Sequence, residues 1–247
     1  MKKITSRRNI KCLHVKNLGK SKEYRNEHGE FLCDGNKMLA EAIKSKISIV
    51  SVFTTSKPDT SLPEETEVYL IDESIMDSLS TLKDSQDILF ICKIPVFKKP
   101  DYKKGTHILL DKVQDPGNVG TIIRSAYAFG IDSVLLTEDC ADPYSPKAVR
   151  ASMGAVFRQK TVYINPDELS RNNYRIIGTA NNKNKYKTLQ NTVLKDSIII
   201  LGNEGQGISD KLSALCEEMI TIPLSSDCES LNVAAAATII MWESKKE

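Results

Sequence analysis

The chain has 247 residues, with 34 Lys and Arg against 32 Asp and Glu, 40% apolar residues and six cysteines. This is ordinary globular composition, which excludes collagen-like, disordered and disulfide-scaffold chains, and it suffices for two modest domains or one large one. No apolar run reaches the ~18 residues of a membrane span, and the basic start MKKITSRRNIKCLHVK lacks the apolar stretch of a signal peptide, so the expectation is a cytoplasmic protein.

Residues 1–25 carry nine basic side chains and one acid, Glu23, a local balance of +8. Such a segment suits a polyanion such as nucleic acid, although a solvated terminus has the same signature. Arg7, Arg8 and Asn9, with Arg25 beyond them, are the candidate phosphate ligands. Residues 11–26 read as a polar helix or helix–turn. Phe31–Cys33 reads as a short strand, followed by a helix over 37–45 capped by Asn36. Strands are expected over Ile47–Thr54, Val68–Ile71 and Ile88–Ile94, with a capped helix over Asp72–Leu82. The first domain is therefore placed at 1–96, a small α/β layer. Two prolines and four lysines in 95–105 mark a linker, set at 97–105.

The second domain, 106–247, alternates strands and helices, so its sheet should be mostly parallel. Strands are expected at 107–113, 133–137, 156–163, 174–180, 197–202 and 219–224. Helices are expected over 118–129, ending at Gly130, then from Ser145-Pro146, from Ser209 to about 216, and from Ser230 to about 243. Ser197–Gly202 is almost wholly apolar, as a strand buried on both faces should be.

The six cysteines form no C-x-x-C pair and the histidines are only His14, His28 and His107. Packed, reduced thiols are expected rather than a zinc site. Neither G-x-G-x-x-G nor a Walker lysine motif occurs. The run Gly202-Asn-Glu-Gly-Gln-Gly207 follows the buried strand, where bare backbone lets a flat ligand lie close.

Three segments together are specific: Asp115-Pro-Gly-Asn-Val-Gly-Thr-Ile-Ile-Arg124, Ile200-Leu-Gly-Asn-Glu-Gly-Gln-Gly-Ile208, and Ile222 to Ala236 with Ser230-Leu231-Asn232. In this order they resemble the three motifs of the SpoU (TrmH-like) branch of the SPOUT RNA methyltransferases. Ser145–Gly154 resembles the family's connecting segment. Tyr24-Arg25, Gly29–Leu32 and Gly35-Asn-Lys37 resemble the substrate-binding domain often attached to these enzymes. Two departures stand out: Ser226 where the family often has Gly, and Ala234 where it often has Ser or Thr.

The resemblance implies a carboxyl-terminal SPOUT domain with a deep trefoil knot, a homodimer, and S-adenosylmethionine as cofactor. It implies methyl transfer to a ribose 2′-OH of structured RNA, most naturally ribosomal RNA. A tRNA substrate, or a non-catalytic RNA-binding assembly protein on the same fold, stays open. The resemblance makes Arg124, Asn118, Glu204, Ser230 and Asn232 the catalytic candidates, and Gly202, Ile222 and Leu231 cofactor contacts, with Thr179 and Ala180 as further walls. Arg124 is either the base the family proposal names or, since arginine stays protonated, a grip on phosphate and developing alkoxide.

Overall fold

The computed structural model describes residues 1–58, 60–81, 87–171, 174–180, 186–225 and 227–246, without the side chains of 170 and 171. Leu82, the expected end of one helix, and Ser226 lie outside these. The chain forms two compact units: 1–96 with 142–158, and 97–141 with 159–247.

The first unit is built on a five-stranded mixed sheet. Its elements are β1 (Lys2–Ile4), α1 (Ile10–Lys20), α2 (Lys22–His28), β2 (Glu30–Asp34), α3 (Asn36–Lys44), β3 (Ile49–Thr54), β4 (Glu67–Ile71), α4 (Glu73–Leu79) and β5 (Ile88–Lys93). Their spatial order is β1-β4-β3-β5-β2, with β1, β4 and β3 parallel and β5 antiparallel to both β3 and β2. Side chains alternate across the sheet as the strand period requires. Leu32, Leu89 and Ile91 meet Val15 and Leu18 of α1 and Met76 and Leu79 of α4. Phe31, Ile88, Phe90 and Cys92 face the other way, onto Leu39 and Ala42 of α3.

Four sequence expectations change here. The basic start is not a frayed terminus: β1 pairs in register with β4 through Lys2–Tyr69 and Ile4–Ile71, and Ile4 is buried. The helix or helix–turn expected over 11–26 is two helices, because Ser21 takes extended backbone and its side chain accepts from the Tyr24 amide, capping α2. Asn36 is the first helical residue rather than the cap, which falls at Gly35 (φ 87°), in the left-handed range glycine tolerates. Arg25 is no phosphate ligand. It is 4% exposed, and its Nε and Nη2 donate to Asp142 Oδ2 at 2.7 and 2.6 Å, with a further bond to the Leu18 carbonyl.

That partner exposes a further correction. Residues 142–158, expected in the second domain, belong to the first unit. They contain α6 (Pro146–Ser152), capped by Ser145 with Pro146 at its first position, and a single 3-10 turn over Ala155–Phe157 where a strand was expected. Tyr144, Val149, Val156 and Phe157 complete the Phe31 face of the core, with the Phe31 and Tyr144 rings 5.1 Å apart. Arg150 bonds Asp34 at 3.1 Å and Arg158 bonds Glu41 at 2.8 Å.

The second unit holds β6 (His107–Leu110), α5 (Pro116–Phe129), β7 (Ser133–Leu136), β8 (Thr161–Tyr163), β9 (Ile176–Thr179), β10 (Lys187–Thr188), β11 (Ile198–Leu201), α7 (Asp210–Ser213), β12 (Glu218–Thr221) and α8 (Val233–Glu243). Its seven strands run in the order β10-β12-β9-β11-β6-β7-β8, and every pairing is parallel. β6, β7 and β11 are buried along their whole lengths, as central strands of a helix-covered sheet must be. Residues 97–105 are not a free linker. Tyr102 is buried edge-on against His107 and Tyr174, and burial, then the Glu168 charge, pushes its hydroxyl up to about 12. His107 is a core residue: it pairs with Ser133 Oγ at 2.8 Å and the Lys104 carbonyl at 3.0 Å, and burial lowers its pKa. All six cysteines are free thiols, four of them buried.

Candidate active site

Sequence and backbone chemistry build the site at the carboxyl ends of β9, β11 and β12, where parallel sheets characteristically bind ligands. The chain leaves β11 into the glycine-rich run. Asn203 and Gly207 exchange two backbone hydrogen bonds of 2.9 Å, closing a tight loop. The Asn203 side chain staples it: Oδ1 accepts from the amides of Gly205 and Gln206, and Nδ2 donates to the Lys112 carbonyl at 2.9 Å. Gly202 must be glycine, because a Cβ there would collide with the backbone of Gly207 and Ile208. Gly207 sits at φ 73°, in the left-handed region. The loop is therefore set by steric need at two glycines and by one asparagine side chain.

Around it opens a cavity of about 280 Å³. All five expected cofactor contacts, Thr179, Ala180, Gly202, Ile222 and Leu231, line it, and so do Glu204 and Ser230. Leu201, Ile220, Val233, Ala236 and Ile240 make an apolar floor. Thr221 lines it as well; its residue is 1% exposed and its Oγ1 has no hydrogen-bond partner among the described residues. An apolar floor, a bare glycine backbone and an orphaned buried hydroxyl suit a ligand with a flat ring and polar groups, as S-adenosylmethionine has.

At the mouth, side chains from all three segments join. Asn118 Nδ2 donates to Glu204 Oε1 at 2.9 Å, and Asn232 Nδ2 donates to Asn118 Oδ1 at 3.1 Å. Asn232 Oδ1 in turn accepts from the amides of Ala234 and Ala235. Each amide is thereby oriented by the next. Asn118 lies in the first turn of α5, whose N-cap is Asp115; the Asp115 side chain accepts from the Asn118 amide at 2.9 Å. The helix thus starts two residues before the expected 118. The cap of α8 is Asn232, not Ser230, because it is the Asn232 side chain that accepts from the first helical amides. Ser230 stays exposed at the rim.

Arg124 stands apart from this network. It is exposed, halfway along α5, and does not line the cavity. The sequence did not single out Asn203 or Thr221. The first was legible as an asparagine inside a glycine run; the second carried no signal beyond its place at a strand end.

The chain is thus a two-unit α/β protein whose larger, parallel unit carries a ligand-sized cavity at its strand ends. The chain belongs to the SpoU rRNA methylase family, whose model matches residues 105–242, and an MRM3-like substrate-binding domain matches residues 9–89. It is 33% identical, over 98% of each chain, to the 23S rRNA (guanosine(2553)-2'-O)-methyltransferase RlmP of Bacillus subtilis. A solved TrmH-family structure from Porphyromonas gingivalis matches at TM-score 0.83 and 32% identity over 95% of this chain and 96% of that one. The SpoU methyltransferase AviRb from Streptomyces viridochromogenes, solved with AdoMet, shares the fold at TM-score 0.84 and 23% identity over 97% and 98%.

Proposed function

We propose that this protein transfers a methyl group from S-adenosylmethionine to a ribose 2′-hydroxyl of ribosomal RNA. The observation that carries the reading is the Asn232–Asn118–Glu204 hydrogen-bond chain, which ties three distant segments together beside one ligand-sized cavity. The rRNA activity of the Bacillus subtilis relative and the AdoMet of the Streptomyces structure support it.

Gly202, Ile222 and Leu231, with Thr179 and Ala180, hold the cofactor in this reading, and Thr221 Oγ1 finds its partner there. The cofactor supplies the methyl group. Asn118, Glu204 and Asn232 form a pre-oriented polar edge against which the ribose is aligned, with the Ser230 hydroxyl at the rim. Arg124 is a charged donor, not a base: guanidinium keeps its protons, so it grips an RNA phosphate and stabilises negative charge on the ribose oxygen, whose proton leaves to solvent as the methyl–oxygen bond forms and the methyl–sulfur bond breaks.

The reading includes a homodimer. α8 carries apolar residues on every side, yet Ile239 and Trp242 are 38% and 55% exposed, and Tyr127 of α5 is 47% exposed. A second copy covers such a face, and Arg124 stands on the same helix as Tyr127. Arg7 and Arg8, exposed ahead of α1, and Asn9 remain RNA contacts, although the Asn9 side chain also caps α1 at the Lys11 amide. The first unit serves RNA capture, the protein works in the cytoplasm, and the family's trefoil knot belongs to the same proposal.

The test is incubation of the full chain with tritiated S-adenosylmethionine and unmodified ribosomal RNA, with label mapped by nuclease digestion and mass spectrometry. Label on one ribose is expected, lost in Arg124→Ala while cofactor binding by calorimetry persists. Comparable turnover in Arg124→Ala would overturn the role given to that residue. Label on tRNA alone, or cofactor binding with no transfer to any RNA, would overturn the rRNA assignment.

A further inference from the structure

The first unit carries a ring cluster that the reaction above does not use. Tyr24 and His28, one turn apart on α2, stack with centroids 4.0 Å apart and planes at 26°. His14 of α1 lies 5.5 and 5.2 Å from them. Polar bonds fix each ring. His14 Nδ1 pairs with the Tyr24 hydroxyl at 2.9 Å and its Nε2 with Glu30 at 2.8 Å, while His28 Nδ1 pairs with the Tyr24 carbonyl at 3.0 Å. Glu30, 8% exposed, also accepts from Lys93 Nζ at 2.7 Å. Burial raises the pKa of that carboxyl, but the bonds from Lys93 and His14 outweigh it and hold it below the ordinary value.

This is an odd composition for plain packing. The aromatic residues of the sheet itself, Phe31, Phe53, Tyr69 and Phe90, are buried, whereas His14, Tyr24 and His28 are partly exposed, Tyr24 while also packing against the core. The Lys93 side chain is 52% exposed beside them. Rings that are already locked lose little freedom when something stacks on them. A rigid π surface with a cation at its edge is what unstacked bases of single-stranded RNA bind, and it lies in the chain's most basic segment.

We infer that His14, Tyr24 and His28 form a shelf that takes an unpaired base of the RNA substrate, with Lys93 on the neighbouring phosphate. The inference rests on the RNA-substrate reading and specifies where the first unit grips. Sequence alone shows no aromatic run, because the three rings come from two helices that the break at Ser21 folds together.

The experiment uses the full chain, whose three histidines give three imidazole Hε1 signals. His107, in the second unit, is the internal control. Unmodified ribosomal RNA transcript and a single-stranded oligouridylate are the probes. The His14 and His28 signals should move upfield on titration while His107 stays. His28→Ala should weaken transcript binding by about tenfold, the loss of one stacked base, and His28→Phe, which keeps the ring but not the Tyr24 bond, should restore it. A role confined to the hydrogen bond with the Tyr24 carbonyl would leave both variants equally weak. If the transcript binds and is methylated while the His14 and His28 signals do not move, or if His28→Ala binds as wild type, the shelf is overturned and the methyltransferase reading stands. If no RNA binds and none is methylated, both fall.

Discussion

Gly202 gives the sharpest perturbation. Its would-be Cβ overlaps the backbone of Gly207 and Ile208, not a side chain that could swing away. Gly202→Ala must therefore pry apart the loop neck, where Asn203 and Gly207 exchange two backbone hydrogen bonds. At a net ~1 kcal/mol per bond, the loss is about 2 kcal/mol, or roughly 4–8 °C in Tm for a chain of this size if the damage spreads to global unfolding. If it stays local, the loop opens and the cavity loses a wall, and calorimetry with S-adenosylmethionine should read at least a tenfold weaker Kd. Gly205→Ala is the control, since its Cβ meets only Asn203 Oδ1 at 3.7 Å. Gly207→Ala has open space but φ 73°, so it carries ~1–2 kcal/mol of strain without a clash. The expected order of damage is 202, then 207, then 205. A Gly202→Ala protein with wild-type Tm and wild-type cofactor Kd would refute the steric argument.

Removing one partner of the buried Arg25–Asp142 pair, as in Asp142→Asn or Arg25→Met, should cost about 3–5 kcal/mol in urea unfolding; a change below 1 kcal/mol would contradict the burial. Asn118→Ala and Asn232→Ala should be non-additive in kcat, because each orients the other; strictly additive losses in the double variant would mean the chain does not act as one. Hydrogen bonds from Lys2, Tyr69 and Lys11 hold the Glu67 carboxyl down to about 2. A depressed carboxylate contributes stability above the ordinary pKa and loses it as pH falls through the folded one. Glu67→Gln should therefore cost under about 1 kcal/mol at neutral pH, as an exposed network does, and the difference should fade between pH 4.5 and 2; a difference that persists at pH 2 would be evidence against it.

Six of the seven strands of the parallel sheet were legible as short apolar runs between turn residues, Ser197–Gly202 most plainly, whereas β10, the polar pair Lys187–Thr188, was not. The site was legible because its residues cluster in three short motifs. What escaped was long-range. β1 is three residues, Lys-Lys-Ile, and only pairing with β4 makes it a strand. Arg25 sits in a basic run, and nothing local foretells a carboxylate 117 residues away. Ser230 and Asn232 are both good caps by type; the reach of Asn232 Oδ1 to the Ala234 and Ala235 amides decides between them. Local pattern finds elements, whereas partners fix caps, charges and edges.

The segment 142–158 also sets an order of assembly. When residue 96 leaves the ribosome, every strand of the first sheet has been made, yet its Phe31 face still lacks Tyr144, Val149, Val156 and Phe157. The nascent unit must keep that apolar face open while β6, α5 and β7 of its neighbour are synthesised. Neither unit is a bead that can finish before the next begins. A stop codon, protease cut or gene fusion placed in the proline-rich stretch near residue 97 would look like a clean domain boundary and would strand half a core.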